Sequence, residues 1–468
     1  MKKRMYKIMA LAMTAAMVVP MAAQTTAFAA DDKEITYWNI AVESPDKDIV
    51  TAAVDKFNKE TKSGYTVNQV AIQNDTYKEK LVIAMSSGEC PDMYSSWSGG
   101  PMYEYIDSGF AQPIDDLLDQ SDVKDKLLDA AIEQGSYKGH VYAIPYLNVS
   151  LAGIFYNKDM FKQYGLEEPK TLADLENICA TLKENGITPF ALANASKWTG
   201  SMYFMSLAAR YGGLEPFQNA VAGTGKFTDD CFIKAGEKIQ EWVKNGYFPD
   251  GVNSLSEDDG QAKQLMYQET AGMLLCGSWY TGTFQTDSEE FYQKIGWFPF
   301  PAIDDSDADP TIQIGTVGDQ FISFNCEGDK LAAAFECATD HLSDEVEDMI
   351  YSTGKIAPVK DAGDHISDPV VKEIFDAAQK ASSIQLWYDQ YLPTSVASAH
   401  LDGLQEVFGL TKTPQEAQEE MQKAMDEYLS TKSDSGAADD TAEEATDDAA
   451  ADDTAEEATD DAAADDAE

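Results

Sequence analysis

The stretch 138–165, KGHVYAIPYLNVSLAGIFYNKDMFKQYG, constrains the fold more than any other part of the chain. Two apolar extended runs, VYAIPY and VSLAGIFY, follow one another, with Pro145 near the end of the first. Proline donates no ladder hydrogen bond and holds Ala143 and Ile144 extended, so the pattern predicts two strands in series with a kink between them. A chain that stays extended through such a kink can leave one sheet and enter another. Asn148 and Ser150, two residues apart, then face one side of the crossing strand. The expectation is a passage between two lobes.

The elements on either side support two sheet systems. ITYWNI, starting at Ile35, reads as a buried strand. Ser44-Pro45-Asp46 then offers an N-cap with proline at N1, and Ile49, Val50, Ala53, Val54 and Phe57 share one helical face. A strand at 65–72, a helix at 75–87 closed by Gly88, and a short strand around Met93 complete a strand-helix alternation typical of a parallel sheet covered on both faces. Beyond the kink the alternation resumes. Thr171 caps a helix with Asp174 at N3, strands are read at 188–192 and 270–280, and amphipathic helices at 198–211 and 228–245.

The termini carry a different message. Lys2, Lys3, Arg4 and Lys7 precede an apolar run and the small residues Ala27 and Ala29, the pattern of a secretory signal peptide over 1–30. The run is shorter than the roughly 20 residues a spanning helix needs. No cysteine occurs before Cys90 to accept a lipid at the cut, so export without an acyl anchor, to the outer side of the cytoplasmic membrane, is expected. After Lys432, 16 acidic residues and no basic or large apolar one form the repeat DDTAEEATDDAAA, which reads as a disordered tail over 433–468. The whole chain carries a net charge of -48; tail and leader removed, 66 acidic and 30 basic residues remain. A surface this acidic repels phosphate backbones, which excludes nucleic acid as a partner. Only Arg4 and Arg210 supply the planar fork suited to phosphate or carboxylate, which favours a neutral ligand.

The six cysteines show no CxxC spacing and the four histidines lie far apart, so neither a metal site nor a cofactor is expected. Cys179 and Cys337 fall in apolar helix stripes and read as buried thiols; disulfide pairing stays open.

The ordered set Gly88-Glu89-Cys90-Pro91-Asp92, Gly109-Phe110, Tyr142-Ala143-Ile144-Pro145, Tyr156-Asn157-Lys158-Asp159, Gly212-Gly213, Gly277-Ser278-Trp279 and Ile356-Ala357-Pro358-Val359 resembles the family 1 extracellular solute-binding proteins of sugar ABC importers, over about 34–430. The resemblance implies an α/β, two-lobed periplasmic-binding-protein fold of type II-like topology, each lobe a sheet flanked by helices and joined by crossover hinge strands. Lobe 1 would be 31–147 with 315–357, and lobe 2 would be 148–314 with 358–432. It further implies a monomer that captures an oligosaccharide in the cleft and delivers it to membrane permease subunits.

Sugar binding needs aromatic faces for the C–H side of a pyranose, and carboxylates and amides for its hydroxyls. Trp279 lies where the family places a stacking tryptophan, with Tyr280 beside it, Trp198 in the second-lobe aromatic region and Trp97 on a first-lobe loop. Asp319 and Asp389 resemble carboxylates that accept sugar hydroxyls; Asn148, Asn39 and Glu43 are weaker candidates. Core burial for the aromatics and turn or cap duty for the aspartates are the ordinary alternatives. A secreted glycoside hydrolase using Asp319 and Asp389, or a binder of a polyamine or peptide, are the rival functions.

Overall fold

The computed structural model describes residues 33–443. The signal peptide read at 1–30 and the tail from 444 onward lie outside the described residues. Numbering the strands of the two main sheets in chain order gives β1 (Glu34–Asn39), β2 (Thr66–Ala71), β3 (Met93–Ser96), β4 (Ala143–Tyr146), β5 (Ser150–Asn157), β6 (Thr188–Phe190), β7 (Ala271–Gly277), β8 (Ile295–Phe298), β9 (Gln313–Thr316), β10 (Gln320–Phe324) and β11 (Ile384–Gln385).

The first sheet is 5-stranded in the order β2-β1-β3-β10-β4. Its first three strands are parallel, Glu34 pairing Thr66 through to Asn39 pairing Ala71. The alternating pattern predicted only this parallel part. A return strand from far along the chain, β10, inserts antiparallel between β3 and β4. The second sheet is 6-stranded, β11-β9-β5-β7-β6, with β8 paired to the far part of β5. β5 is its backbone and every residue of it is buried, as a strand covered on both faces must be.

The local signals have clear structural counterparts. The helix Asp46–Glu60 buries Ile49, Val50, Ala53, Val54 and Phe57. Its N-cap is Pro45 rather than Ser44, and no side chain caps it. Gly88 closes the helix Asn74–Ser87 with φ 75°, a conformation glycine adopts without Cβ strain. Thr171 and Asp174 form a complete capping box. All six cysteines are free thiols, with Cys179 and Cys337 fully buried. The last helix runs Pro414–Glu443, so regular structure continues past Lys432 into the segment read as a disordered tail.

Three segments pass between the sheets, and they meet at Asn148. The β4–β5 passage spans 147–149, where Leu147 is buried with φ 70°, a left-handed conformation costly for a leucine. β9 belongs to the second sheet, so the return passage is Val317–Asp319, just after the boundary read at 315. The third begins beside the first: Val149 N–H donates to Ile356 O at 2.6 Å. Residues 358–360 still belong with the first sheet's helices, because Leu128 N–H donates to Pro358 O and Lys360 N–H to Lys126 O, both at 3.0 Å. The crossing is complete only by the helix Pro369–Lys380, which packs beside β8, later than the position read at 358. Among the described residues, no helix is long and apolar enough to cross a membrane.

Candidate functional site

Between the sheets lies a cleft with about 700 Å³ of space, part of it open to solvent. Its walls come from loops at strand ends, where an α/β sheet exposes side chains without disturbing its ladder. Ile40 follows β1, Trp97 follows β3 and Trp279 follows β7. Trp198 opens the helix Trp198–Gly212, and Trp387 precedes the short helix Tyr388–Tyr391.

Three tryptophans converge on the second-sheet wall. Trp279 has its ring centroid 6.0 Å from Trp198 and 5.9 Å from Trp387, the latter pair edge to face. Gly277 makes this possible. A Cβ there would come within 2.0–2.3 Å of three Trp279 ring atoms, so the indole lies directly over the glycine. Trp387 is buried and anchors the group, whereas Trp198 and Trp279 stay partly exposed to the cleft. Trp198 Nε1–H is buried and has no acceptor in the protein.

The opposite wall is Trp97, whose ring meets Tyr77 edge to face at 6.0 Å and lies under Lys78 Nζ at 5.0 Å. Lys78 reaches across to Asp389 Oδ2 at 3.5 Å, joining the two sides. Asp319, on the return passage, faces the same space. Burial pushes its carboxyl up to about 7; Lys355 opposes the shift and Asp46 adds to it.

A second chamber of similar size continues the cleft and shares Ile40, Asp46, Trp198, Asp258 and Trp279 with the first. Tyr280 and Glu43 lie here. Tyr280 does not continue β7; it starts the helix Tyr280–Asp287, is only 3% exposed, and donates its hydroxyl to Glu257. Burial pushes the Glu257 carboxyl up to about 7. Glu43 is largely solvated, 3.6 Å from Lys263.

Two of the expected site residues sit elsewhere. Asn148 lines neither chamber: its Oδ1 accepts from Ile356 N–H at 2.8 Å, and its Nδ2 donates to Ser150 Oγ at 3.2 Å and Ser278 Oγ at 3.4 Å. A buried amide so engaged serves the hinge. Asn39 is also buried away from the chambers, its Oδ1 accepting from Ala41 N–H at 3.0 Å. Sequence reading missed Trp387, Lys78, Asp258 and Glu257. Trp387 was within reach, two positions before Asp389 in WYDQY; the others sit on ordinary helix or turn patterns.

A family model described as bacterial extracellular solute-binding protein matches residues 41–338. An uncharacterized ABC transporter extracellular-binding protein of Pyrococcus horikoshii is 31% identical over 228 residues, 48% of this chain and 50% of that one. A multiple sugar-binding protein of Streptococcus mutans is 30% identical over 175 residues, 34% of this chain and 38% of that one. The chain thus spans about half the length, or less, of these curated relatives. Among solved structures, one from work on xylan utilization by the thermophilic bacterium Caldanaerobius polysaccharolyticus aligns with TM-score 0.76 at 29% identity, covering 83% of this chain and 99% of that one. A chitin oligosaccharide binding protein aligns with TM-score 0.75 at 21% identity, covering 84% and 98%, a likeness of fold. The matching family is one of solute-binding proteins rather than of enzymes, so the hydrolase reading falls away. With the family model matching residues 41–338, more than half of its length, the chain belongs to the bacterial extracellular solute-binding proteins.

Proposed function

We propose that this protein is the extracytoplasmic binding component of a carbohydrate ABC importer, capturing an oligosaccharide between its lobes and presenting it to the permease. The observation that carries this reading is the tryptophan cluster on the cleft wall. Indole faces at such spacing cover the C–H faces of pyranose rings, which most other polar solutes lack. Trp279 and Trp198 supply the faces on one wall and Trp97 the face on the other. Asp389 and Asp319 accept sugar hydroxyls, and Tyr280 and Glu43 border the adjoining chamber. Closure traps the sugar because contacts from both sides exist together only in the closed state.

A thermal-shift screen followed by calorimetry tests this. The panel is maltotetraose, cellotetraose, xylotetraose, N-acetylchitotetraose and stachyose, with spermidine and a mixed peptide pool as controls. A saccharide should raise the melting temperature, be recovered intact, and lose its affinity in Trp279→Ala. A shift with spermidine or peptides and none with any saccharide would overturn the reading.

A further inference from the structure

The charges of the cleft are unevenly paired. Its three lysines are already held by carboxylates: Lys78 by Asp389 at 3.5 Å, Lys263 by Asp287 at 3.0 Å, and Lys355 by Asp46. Among the described residues, no lysine lies within ion-pair distance of Glu257, Asp258 or Asp319, although Lys263, Lys78 and Lys355 respectively act on them from further off. Arg210, the one arginine among the described residues, is buried elsewhere, donating to Phe300 O at 2.9 and 3.2 Å and Ile312 O at 2.8 Å. Among the described residues, an anionic group in the cleft would therefore meet no free cation.

Asp258 is the sharpest case. It lines both chambers and accepts from the backbone N–H of Asp75, on the opposite wall, at 3.2 Å. The acidic side chains of Asp75, Asp258 and Glu257 therefore lie near one another, with Lys78 and Lys263 nearby but engaged. Trp198 stands at the junction of the two chambers, lining both.

We infer that the cleft admits neutral and amine-bearing saccharides and rejects those carrying a uronic acid, with Asp258 and Glu257 as the residues that set this selectivity. The inference rests on the saccharide reading above. Rejection follows from like charges meeting in a cleft whose Glu257 and Asp258 stay partly exposed to solvent, an arrangement that discriminates between partners and responds to salt. An ammonium in place of a hydroxyl meets the opposite situation and is accepted.

Calorimetry on the full chain at pH 8 and low salt tests the inference. At that pH Glu257, facing Tyr280, Lys263, Asp258 and Asp75, and Asp319, facing Lys355, Asp46 and Ser150, are both ionised. Each tetrasaccharide of maltose, cellulose, xylan or chitin type that binds is compared with the same chain carrying one glucuronic acid and with one carrying a single 6-amino-6-deoxyhexose, whose amine stays protonated at that pH. The uronate form should bind about tenfold or more weakly, and the amine form as well as the neutral one or better. Raising the salt should narrow the uronate gap. Asp258→Asn with Glu257→Gln should narrow it too, melting temperatures being read alongside. Because the salt series uses only the wild-type protein, it stands even where that variant folds poorly. Equal affinity for neutral and uronate forms at low salt, or a gap indifferent to salt, overturns the inference alone. Absence of binding by every neutral saccharide overturns the saccharide reading and the inference with it.

Discussion

Replacing Gly277 with alanine should disable the cleft through a residue that never touches the ligand. The added methyl would come within 2.0–2.3 Å of three ring atoms of Trp279. The backbone of β7 cannot retreat, because Gly277 pairs with Ala152 inside the second sheet. The ring must therefore move, and Trp198 and Trp387, about 6 Å away on its flanks, limit where it can go. Forcing a methyl into a packed site costs about 1–3 kcal/mol, and moving the indole into the cleft relieves that strain. The price falls on binding. A lost aromatic face contributes about 0.5–1.5 kcal/mol beyond its buried area, and with the area term the affinity should fall roughly 10- to 100-fold. Calorimetry with the best-binding tetrasaccharide reads the loss, and near-UV circular dichroism of the unliganded protein reads the displaced tryptophan. A double-mutant cycle isolates the route: on a Trp279→Ala background, Gly277→Ala should change affinity by less than about 0.5 kcal/mol. Wild-type affinity in Gly277→Ala, or full additivity of the two changes, refutes the reasoning.

Two further predictions concern the hinge. Asn148→Ala leaves the buried N–H of Ile356 without its acceptor, so stability should drop by about 1–3 kcal/mol, read as a lower urea midpoint at unchanged slope; an unmoved midpoint would show that the three passages hold together without this amide. Asp319→Asn should alter the pH dependence of unliganded stability. The folded carboxyl titrates near 7 and the unfolded one near the ordinary aspartate value, so between them the folded state binds the extra proton and wild-type stability falls as pH rises. The asparagine variant lacks this term, so its stability relative to wild type should rise between about pH 4 and pH 8. A difference constant across that window would mean that Asp319 is not raised.

The peptide pairings that build the first sheet show where sequence reading stops. The parallel trio β1, β2 and β3 follows from strand-helix alternation, since each crossover is a local event. That β10 slots between β3 and β4 depends on segments more than 170 residues apart, such as Phe321 facing Pro145. No local pattern encodes such a contact. The cleft behaves alike. Trp279 was visible because a buried strand ends just before it, but Trp387 lies in a stretch whose aspartate looked more informative. Asn148 looked like a ligand contact because a polar residue at a crossover has two possible partners, a ligand or a distant backbone, and its own neighbourhood does not distinguish them.

What the chain determines by itself are features held by near neighbours: the capping box of Thr171 and Asp174, the buried face of Asp46–Glu60, the glycine stop at Gly88, and the kinked pair of strands around Pro145. Their energies come from residues within a turn or two, so spacing alone reports them. The tertiary structure alone decided that Trp198, Trp279 and Trp387 form one cluster, that Gly277 seats the middle ring, and that Asp75 meets Asp258 across the cleft. Those outcomes depend on how two separately packed sheets are set against each other, and the side chains facing the gap carry no periodic signal of what they will meet.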